Sequence, residues 1–483
     1  MLTTRLLRTK SLTQLAREAE NTGEHGLTRA LDLRALIAIG VGSTVGAGIF
    51  AMTGTAAADY AGPAIVFALL ISALGCAFAA LCYAEFAAMI PISGSSYTYA
   101  YATMGEFIAW IVGWNMVLEY MVSASTVAVS FTDYLQHLLG GFGVQLPSFI
   151  ASAPLDHTAE GIVLTGSLVN FPAVAIVLLC TWIAYIGIRE SAKVNNLIVL
   201  LKVVVIMLFV GFGLAYVQPA NWTPFVPENT GEFGAYGWSG VLRAAGYMFF
   251  AYIGFEAVST AAQEAKNPQR DLPRGILISL VICTALYIAL ALVLTGMVKY
   301  TDISHEAPIA NALHVAGNAL NWLGWVVDVG ALVGFTSVIL VMMVAQPRIF
   351  FSMARDGLIP PVFAKVHPKH RTPHINTWIT GIVTAILAGL LPLRILGELV
   401  SIGTLLAFTF VCLGIVWLRR THPELPRPFK TPMVPLLPLL GAGLCVLQMV
   451  SLPGDTWIRL AVWLVIGCAI YFGYSIKNSK LNG

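Results

Sequence analysis

The sequence predicts an all-α integral membrane protein with twelve transmembrane helices, and three observations support that class. Hydrophobic residues make up 58% of the 483 positions and charged residues only 11%, whereas a soluble domain carries about 25% charged residues. Long apolar segments recur along the chain, and many reach the roughly 18 residues that cross a bilayer as a helix. Lys and Arg concentrate in alternate loops between those segments, which is the charge bias of membrane proteins.

The apolar segments define one membrane domain between two short polar ends. The spans are placed near residues 36–60, 64–90, 104–132, 172–188, 194–216, 240–262, 274–298, 322–347, 375–392, 396–418, 433–451 and 456–475. The membrane domain therefore covers residues 35–475, with an N-terminal arm at 1–34 and a C-terminal tail at 476–483. The arm lacks the apolar core of a cleavable signal peptide, so we expect it to stay on the chain.

The distribution of positive charge orients the spans. Of the 27 Lys and Arg residues, 22 lie in the arm, the tail and every second loop, and three lie in the intervening loops. Positive charge is retained on the cytoplasmic side, so we expect both termini in the cytoplasm and the protein in the plasma membrane. Glu85 lies near the cytoplasmic end of span two, where we expect it to pair with a basic loop residue.

The first span contains a stretch, Gly42-Ser43-Thr44-Val45-Gly46-Ala47-Gly48-Ile49-Phe50, that is poorly suited to a continuous helix. Each glycine costs about 0.5–1 kcal/mol relative to alanine inside a helix, and an unpaired backbone group in lipid costs several kcal/mol more. Span six carries a second interruption around Gly254. Paired breaks at matching positions in two halves of a chain indicate a transporter binding site. The alternative is that Gly42 and Gly46 form a small-residue motif for helix packing.

The two breaks offer complementary groups to a zwitterion. The amides of Gly46, Ala47 and Gly48 stand at the start of a half-helix, where free N–H groups and the helix dipole favour a carboxylate. Carbonyl groups freed at the breaks favour an ammonium group, and they are expected at Thr44, Phe250, Ala251 and Ile253. A carboxylate and an ammonium together describe an α-amino acid, so these residues are predicted to hold the substrate backbone.

Longer motifs identify the family that the chain resembles. They are GSTVGAGIF at 42–50, PISGSSYTYAY at 91–101, Glu119-Tyr120, GFEAVSTAAQEAKNPQRDLPRGI at 254–276 and QPRIFFSMARDGLIPPVFAKVHPKHRTP at 346–373. With them the chain resembles the cationic amino acid transporter family of the amino acid–polyamine–organocation superfamily, over residues 27–475. The resemblance implies two inverted repeats of five helices, discontinuous helices one and six, two extra C-terminal helices and transport by alternating access. Gln263-Glu264 departs from the two acidic residues that are usual in the family.

Lys202 lies within span five, and the resemblance implies a role for it. Proton-coupled members of the family carry a lysine on this helix where sodium-coupled relatives bind Na⁺, so Lys202 is expected to carry the coupling proton. Its expected neighbours are the carbonyls of Gly42 and Val45 and the hydroxyls of Thr336 and Ser337. Such partners favour the ammonium, whereas burial favours the neutral amine. The alternative is a lysine that reaches towards the membrane interface.

Two acidic and several aromatic residues complete the predicted site. Glu119, in the middle of span three, is a candidate second proton carrier or a buried protonated acid. Glu256 follows the second break and is a candidate for substrate contact or gating, or for structural support of the break. Tyr252 is expected to close over the substrate with Phe250, and the resemblance implies that Phe335 shortens the side-chain end of the pocket. No carboxylate is placed to bind a guanidinium, so small or medium neutral amino acids are favoured over arginine.

These features predict proton-coupled amino acid symport rather than catalysis. No histidine lies deep in a span, which removes the commonest general base and metal ligand, so no enzyme activity, cofactor or metal is expected. The expected partners are the amino acid, protons and the lipid bilayer, without nucleic acid; contact with a sterol-like molecule or a small accessory subunit is left open. An exchanger without proton coupling and a nutrient-sensing receptor on the same fold are the alternatives.

Overall fold

The computed structural model describes residues 6, 8–10, 31–89, 95–158, 161–187, 192–260, 265–370 and 372–482. Nearly all of them are helical, as the predicted class requires, and β structure among them is limited to one hairpin and one isolated bridge. Most of the N-terminal arm, residues 91–94 of one motif and Gln263-Glu264 lie outside the described residues.

The longer helices are numbered here in chain order. They are α1 Leu33–Thr44, α2 in three consecutive pieces (Gly48–Met52, Thr53–Thr55 and Ala56–Ala61), α3 Ile65–Met89, α4 Ser95–Thr103, α5 Glu106–Gly141, α6 Phe171–Ile186, α7 Ala192–Gly213, α8 Gly237–Met248, α9 Pro268–Met297, α10 Pro308–Ala316, α11 Asn321–Arg355, α12 His374–Leu390, α13 Leu393–Thr421, α14 Leu436–Ser451 and α15 Gly454–Ile470. Short helical turns include Ser148–Ala151, Phe249–Tyr252, Ala257–Thr260, Pro361–Ala364 and Tyr471–Ser475. In the loop after α5, β1 Leu155–Thr158 pairs antiparallel with β2 Gly161–Leu164.

All twelve predicted spans coincide with helical segments. Span one is α1 with α2, span six is α8 with the turns that follow it, and the others are α3, α5, α6, α7, α9 and α11 to α15. Within the described part of the chain, seven helices are long and apolar enough to cross a membrane, and four shorter apolar helices have 10–17 residues. The structure confirms a multi-span helical membrane protein, and the number of twelve crossings stays a prediction.

Spans one and six are interrupted at the positions that their glycine residues predicted. α1 ends at Thr44, and Val45 has an extended ψ of 100° before α2 begins at Gly48. α8 ends at Met248, a 3₁₀ turn covers Phe249–Tyr252, and Gly254 adopts a φ of 122°. Glycine alone enters that region of backbone space readily, so the second break depends on its residue type.

α5 is longer than its predicted span, which ended near residue 132. The helix continues to Gly141 and has 36 residues, which makes it about 54 Å long. Its last turns therefore extend beyond a hydrocarbon core of about 30 Å. They carry polar residues that have protein partners: His137 Nδ1 lies 2.7 Å from the carboxylate of Asp328 on α11. The predicted span was too short because it was delimited by apolar residues alone, and the last turns of the helix are polar.

Two groups of helices face one another. α1, α3, α8 and α9 pack together as one group, which we call the bundle, and α5, α6, α11 and α12 form the second, which we call the scaffold. α7 bridges them, because it contacts α1 and α9 as well as α11. The contacts come in corresponding pairs: α1 with α9 matches α8 with α3, and α5 with α13 matches α11 with α7. This correspondence supports the predicted repeat of five and five helices.

A buried ion network joins the end of α3 to the segment after α13. Glu85 is fully buried, and the Arg419 guanidinium donates to both of its carboxylate oxygens over 3.1 and 2.7 Å. Arg427 Nε lies 3.4 Å from the same carboxylate, and the Thr431 N–H donates to it over 2.7 Å. The prediction that Glu85 pairs with a basic loop residue is confirmed.

The N-terminal arm and the C-terminal tail meet at the end of α11. Lys10 Nζ lies 2.5 Å from Asp356 Oδ1, and the Tyr97 hydroxyl donates to Oδ2 over 2.6 Å. The Lys480 N–H donates to the Asp356 carbonyl over 3.1 Å. Asp356 therefore links the arm, α4 and the tail at one point.

Candidate functional site

The two helix breaks contact each other through backbone. A Cβ on Gly48 would lie 2.3 Å from the Ala251 Cα, which no side chain tolerates. A Cβ on Gly254 would lie 2.6 Å from the carbonyl carbon of Ser43. Glycine at these two positions is therefore required by close approach, and at Gly254 also by the positive φ.

Hydroxyl groups hold the interrupted backbone in place. Ser43 Oγ lies 2.8 Å from the Gly254 carbonyl and 2.7 Å from the Ile39 carbonyl, so it bridges the two breaks. The Tyr287 hydroxyl donates to the Thr44 carbonyl over 2.8 Å. The Thr44 carbonyl at the first break and the Gly254 carbonyl at the second thus have partners within the protein, and each retains a second lone pair for a ligand.

Lys202 takes over one carbonyl that the break releases. In a continuous helix the Gly42 carbonyl would accept from the N–H of Gly46. Here Lys202 Nζ donates to the Gly42 carbonyl over 2.8 Å, and the Gly46 N–H donates to no backbone carbonyl in the described ranges. The break therefore frees an amide on one side and binds an ammonium on the other.

The surroundings of Lys202 match the prediction in part. The side chain is 1% exposed, and it packs so closely against α11 that a Cβ on Gly334 would lie 3.0 Å from its Cε. Two other expected neighbours are also buried: Val45 lies at the first break, and Ser337 lies on α11. The Thr336 hydroxyl donates to the Leu332 carbonyl of its own helix over 2.8 Å. Lys202 thus lies buried between the first break and α11 of the scaffold.

A small cavity lies between the breaks and the scaffold. Its volume is about 20 Å³, which holds about one water molecule. It is lined by Ser43, Thr44, Gly46, Ala47, Gly48, Ser123, Val127, Phe250, Ile253, Val338 and Met342. An amino acid needs far more room than this, so the cavity as it stands is too small to hold one.

The cavity contains most of the residues predicted to hold a substrate backbone. Thr44, Phe250, Ile253 and the segment Gly46–Gly48 all line it. Sequence reasoning missed the scaffold wall, which consists of Ser123, Val127, Val338 and Met342. These residues sit in regular helices without any local irregularity, so no sequence signal distinguished them from ordinary core positions.

Three predicted contact residues lie behind the cavity wall. Ala251 packs on Gly48 and is 1% exposed. The Tyr252 hydroxyl donates to the Leu69 carbonyl of α3 over 3.0 Å. Glu256 Oε2 accepts from the Gly254 N–H over 2.9 Å, which corresponds to the predicted alternative of structural support for the break.

Glu119 lies beside Glu256 in the interior. Its side chain is 5% exposed, and it is close enough to Glu256 for the two carboxyl groups to interact electrostatically. Two ionised acids repel strongly in such a low-dielectric environment. The structure thus places both acidic residues together, near the second break and outside the cavity lining.

Buried aromatic residues form two clusters near the breaks. Phe335 packs edge-on against Phe50 and Tyr134, with ring centroids 6.0 and 5.5 Å apart, and the Tyr134 hydroxyl donates to the Phe50 carbonyl over 2.6 Å. In the second cluster, Phe255 packs on Tyr83 of α3 and Phe408 of α13, with ring centroids 6.0 and 5.4 Å apart. Phe335 therefore belongs to an aromatic cluster and is not among the residues that line the cavity.

Comparison with known proteins agrees with this architecture. A family model described as amino acid permease matches residues 31–472. The chain belongs to the amino acid permease family. Membership in this family supports amino acid transport, and it agrees with the resemblance to the amino acid–polyamine–organocation superfamily.

Individual relatives of the permease cover nearly its whole length. The methylthioribose transporter of Bacillus subtilis (strain 168) and the branched-chain amino acid permease BcaP of the same organism are each 44% identical over 99% of both chains. A vacuolar cationic amino acid transporter 4 of Arabidopsis thaliana is 37% identical over 84% of this chain and 66% of its own length. All three relatives are named as transporters or permeases.

Proposed function

We propose that this permease is a proton-coupled symporter of small or medium neutral L-amino acids. Residues 35–475 form the transport unit, which works by alternating access in the plasma membrane with both termini in the cytoplasm. The observation that carries the proposal is the Lys202–Gly42 bond, over 2.8 Å, at the break that also lines the cavity. One interrupted helix thereby touches both a buried cation and the substrate site.

The breaks supply the groups that recognise an amino acid backbone. The amides of Gly46, Ala47 and Gly48 bind the substrate carboxylate, since they begin α2 and its dipole favours negative charge. The carbonyls of Thr44, Phe250 and Ile253 bind the ammonium group. Both sets line one cavity, so a zwitterion satisfies them together.

The scaffold wall selects for a neutral side chain. Val127, Val338 and Met342 are aliphatic, and no carboxylate is among the residues that line the cavity. A guanidinium or ammonium in that place would be buried without a counter-ion, which is strongly unfavourable. Branched-chain amino acids fit this wall, in keeping with the printed name of the relative BcaP.

Proton coupling is assigned to Lys202, with Glu119 as a second carrier. A protonated Lys202 donates to the Gly42 carbonyl and joins α1 to the scaffold side through its packing on Gly334. Loss of that proton removes the charge-assisted hydrogen bond, so α1 can move relative to α11. The proton on Lys202 and a substrate bound at the same break therefore both act on the position of α1.

Uptake by the purified protein in proteoliposomes tests this proposal. Radiolabelled valine, arginine and methylthioribose are offered with and without an inward proton gradient. We expect the gradient to drive accumulation of valine, little uptake of arginine, and loss of gradient-driven accumulation in Lys202→Ala. Lys299→Ala, an exposed lysine in a loop, is the matched control and should behave as the unmodified protein.

Each alternative has its own result in that assay. An exchanger would take up valine only against amino acid loaded inside the vesicles, whatever the pH gradient. A receptor would bind valine without transporting it. Uptake of methylthioribose in preference to valine would show that the substrate is not an amino acid. Unchanged pH dependence in Lys202→Ala would show that Lys202 does not couple transport to protons.

A further inference from the structure

Ser123 differs from the other hydroxyl residues of α5. Ser125, Thr126 and Ser130 each have their hydroxyl oxygen within 3.0 Å of the carbonyl four residues earlier in the helix, a common bond for buried helical Ser and Thr. Ser123 is 1% exposed, and its Oγ has no hydrogen-bond partner in the part of the chain that the structure describes. Its hydroxyl is therefore buried and unsatisfied in this state.

The unsatisfied hydroxyl lines the cavity. Ser123 lies on the scaffold wall with Val127, which is one turn further along α5, and with Val338 and Met342 of α11. The amides and carbonyls of the two breaks form the opposite wall. Leaving a buried hydroxyl without a partner is costly, so its position at a ligand cavity points to a ligand that completes the bond.

We infer that Ser123 is a specificity-determining residue that hydrogen-bonds a polar atom in the side chain of the substrate. The inference rests on the proposed function, in which the breaks hold the carboxylate and ammonium groups. The side chain then faces one hydroxyl surrounded by three apolar residues. A short side chain with one methyl and one hydroxyl group, as in threonine, matches that wall better than its isostere valine.

The chemistry of a hydroxyl suits this role. Ser123 can donate one hydrogen bond and accept others, so it pairs with a substrate hydroxyl in either direction. A site that hydrogen-bonds its substrate discriminates against the isostere without the polar atom, whereas a purely apolar pocket distinguishes the two weakly. The hydroxyl of Ser123 thereby extends the range of substrates from aliphatic amino acids to hydroxylated ones.

Kinetics of threonine and valine uptake in proteoliposomes test the inference. The kcat/KM ratio of threonine to valine is measured for the unmodified protein, Ser123→Ala and Ser130→Ala. We expect the ratio to fall about tenfold in Ser123→Ala, as for the loss of one neutral hydrogen bond, mainly through a higher KM for threonine. Ser130→Ala should leave the ratio unchanged, because that hydroxyl already bonds its own helix.

Three results would overturn the inference. Equal losses for threonine and valine in Ser123→Ala would indicate a structural role, and unchanged kcat/KM values for both substrates would show that the hydroxyl does not contact the substrate. Ser123→Cys keeps a small unbranched side chain and weakens the hydrogen bond, so it must lower the ratio as well if the inference holds. Failure of the unmodified protein to transport either amino acid would refute the proposed function itself, whereas valine uptake with an unchanged ratio would refute only the role of Ser123.

Discussion

The backbone of Gly48 lies directly against that of Ala251, so closely that a Cβ on Gly48 would stand 2.3 Å from the Ala251 Cα. The contact joins two breaks that are far apart in the sequence, one in each five-helix repeat. It also sets the geometry of the cavity, because Gly48 lines that cavity beside Phe250 and Ile253.

Gly48→Ala is expected to reduce transport on the order of 100-fold, since the backbones must separate and small displacements of recognition groups have effects of that size. Valine uptake per amount of monodisperse protein measures this. Gly211→Ala is the matched control, because a Cβ there meets nothing within 4 Å. Uptake above half of the normal rate in Gly48→Ala would contradict the requirement for close contact.

Glu85→Gln is expected to destabilise the fold by about 3–5 kcal/mol, because removing one member of a buried ion pair leaves the other charge uncompensated. Arg419 and Arg427 both approach the Glu85 carboxylate. Thermal unfolding in detergent measures the effect, with the exposed Glu424→Gln in the neighbouring loop as control. Equal unfolding temperatures for the two variants would show that the network contributes little.

Asp356→Asn is expected to release the C-terminal tail. The carboxylate binds Lys10 and Tyr97, and the backbone of the same residue accepts from the Lys480 N–H. Hydrogen exchange at the Lys480 amide should become on the order of 100-fold faster, as local unfolding becomes easier without the buried ion pair. Asp302→Asn, on an exposed turn, should leave the tail unchanged. Protection of Lys480 that survives Asp356→Asn would place the tail contact elsewhere.

The His305–Asp59 pair is expected to respond to pH. His305 Nε2 lies 2.8 Å from the Asp59 carboxylate, and this hydrogen bond raises the pKa of His305 above its ordinary value. The stabilisation is therefore fully present below about pH 6.5 and is lost as the pH rises through the raised pKa. The pair is largely exposed, so the effect is a few tenths of a kcal/mol.

The unfolding temperature of His305→Gln measures this effect. It should fall below that of the unmodified protein at pH 5.5, and the two should coincide at pH 9. A difference that grows with pH would contradict the sign of the shift. His422→Gln, an exposed histidine in another loop, serves as the control for added or lost charge at the surface.

The helix breaks were predictable because their cause is local. Glycine disfavours a helix wherever it lies, and the bilayer makes each break costly, so Gly42, Gly46, Gly48 and Gly254 marked both interruptions without any knowledge of packing. Glu85 was equally predictable, because a buried acid near a basic loop needs a counter-charge. The extra turns of α5 were not, since their polar residues are satisfied by partners such as Asp328 on a distant helix.

The role of each side chain in the site depends on which way it points from its helix, and the sequence alone does not specify this. Phe335 and Met342 both lie on α11, but only Met342 lines the cavity, while Phe335 packs on Phe50 and Tyr134. Glu256 was a candidate for substrate contact, and its carboxylate instead accepts from the Gly254 N–H. Rotation of a helix about its axis decides such outcomes.

The sequence by itself determined the membrane class, the spans, the two breaks and the family resemblance, because apolar length, glycine and motif are properties of contiguous residues. Only the tertiary structure decided that Gly48 meets Ala251, that Lys202 binds the Gly42 carbonyl, and that the Ser123 hydroxyl is left without a partner at the cavity. Those facts arise where separate helices meet, and the packing of the bundle against the scaffold determines which atoms come together.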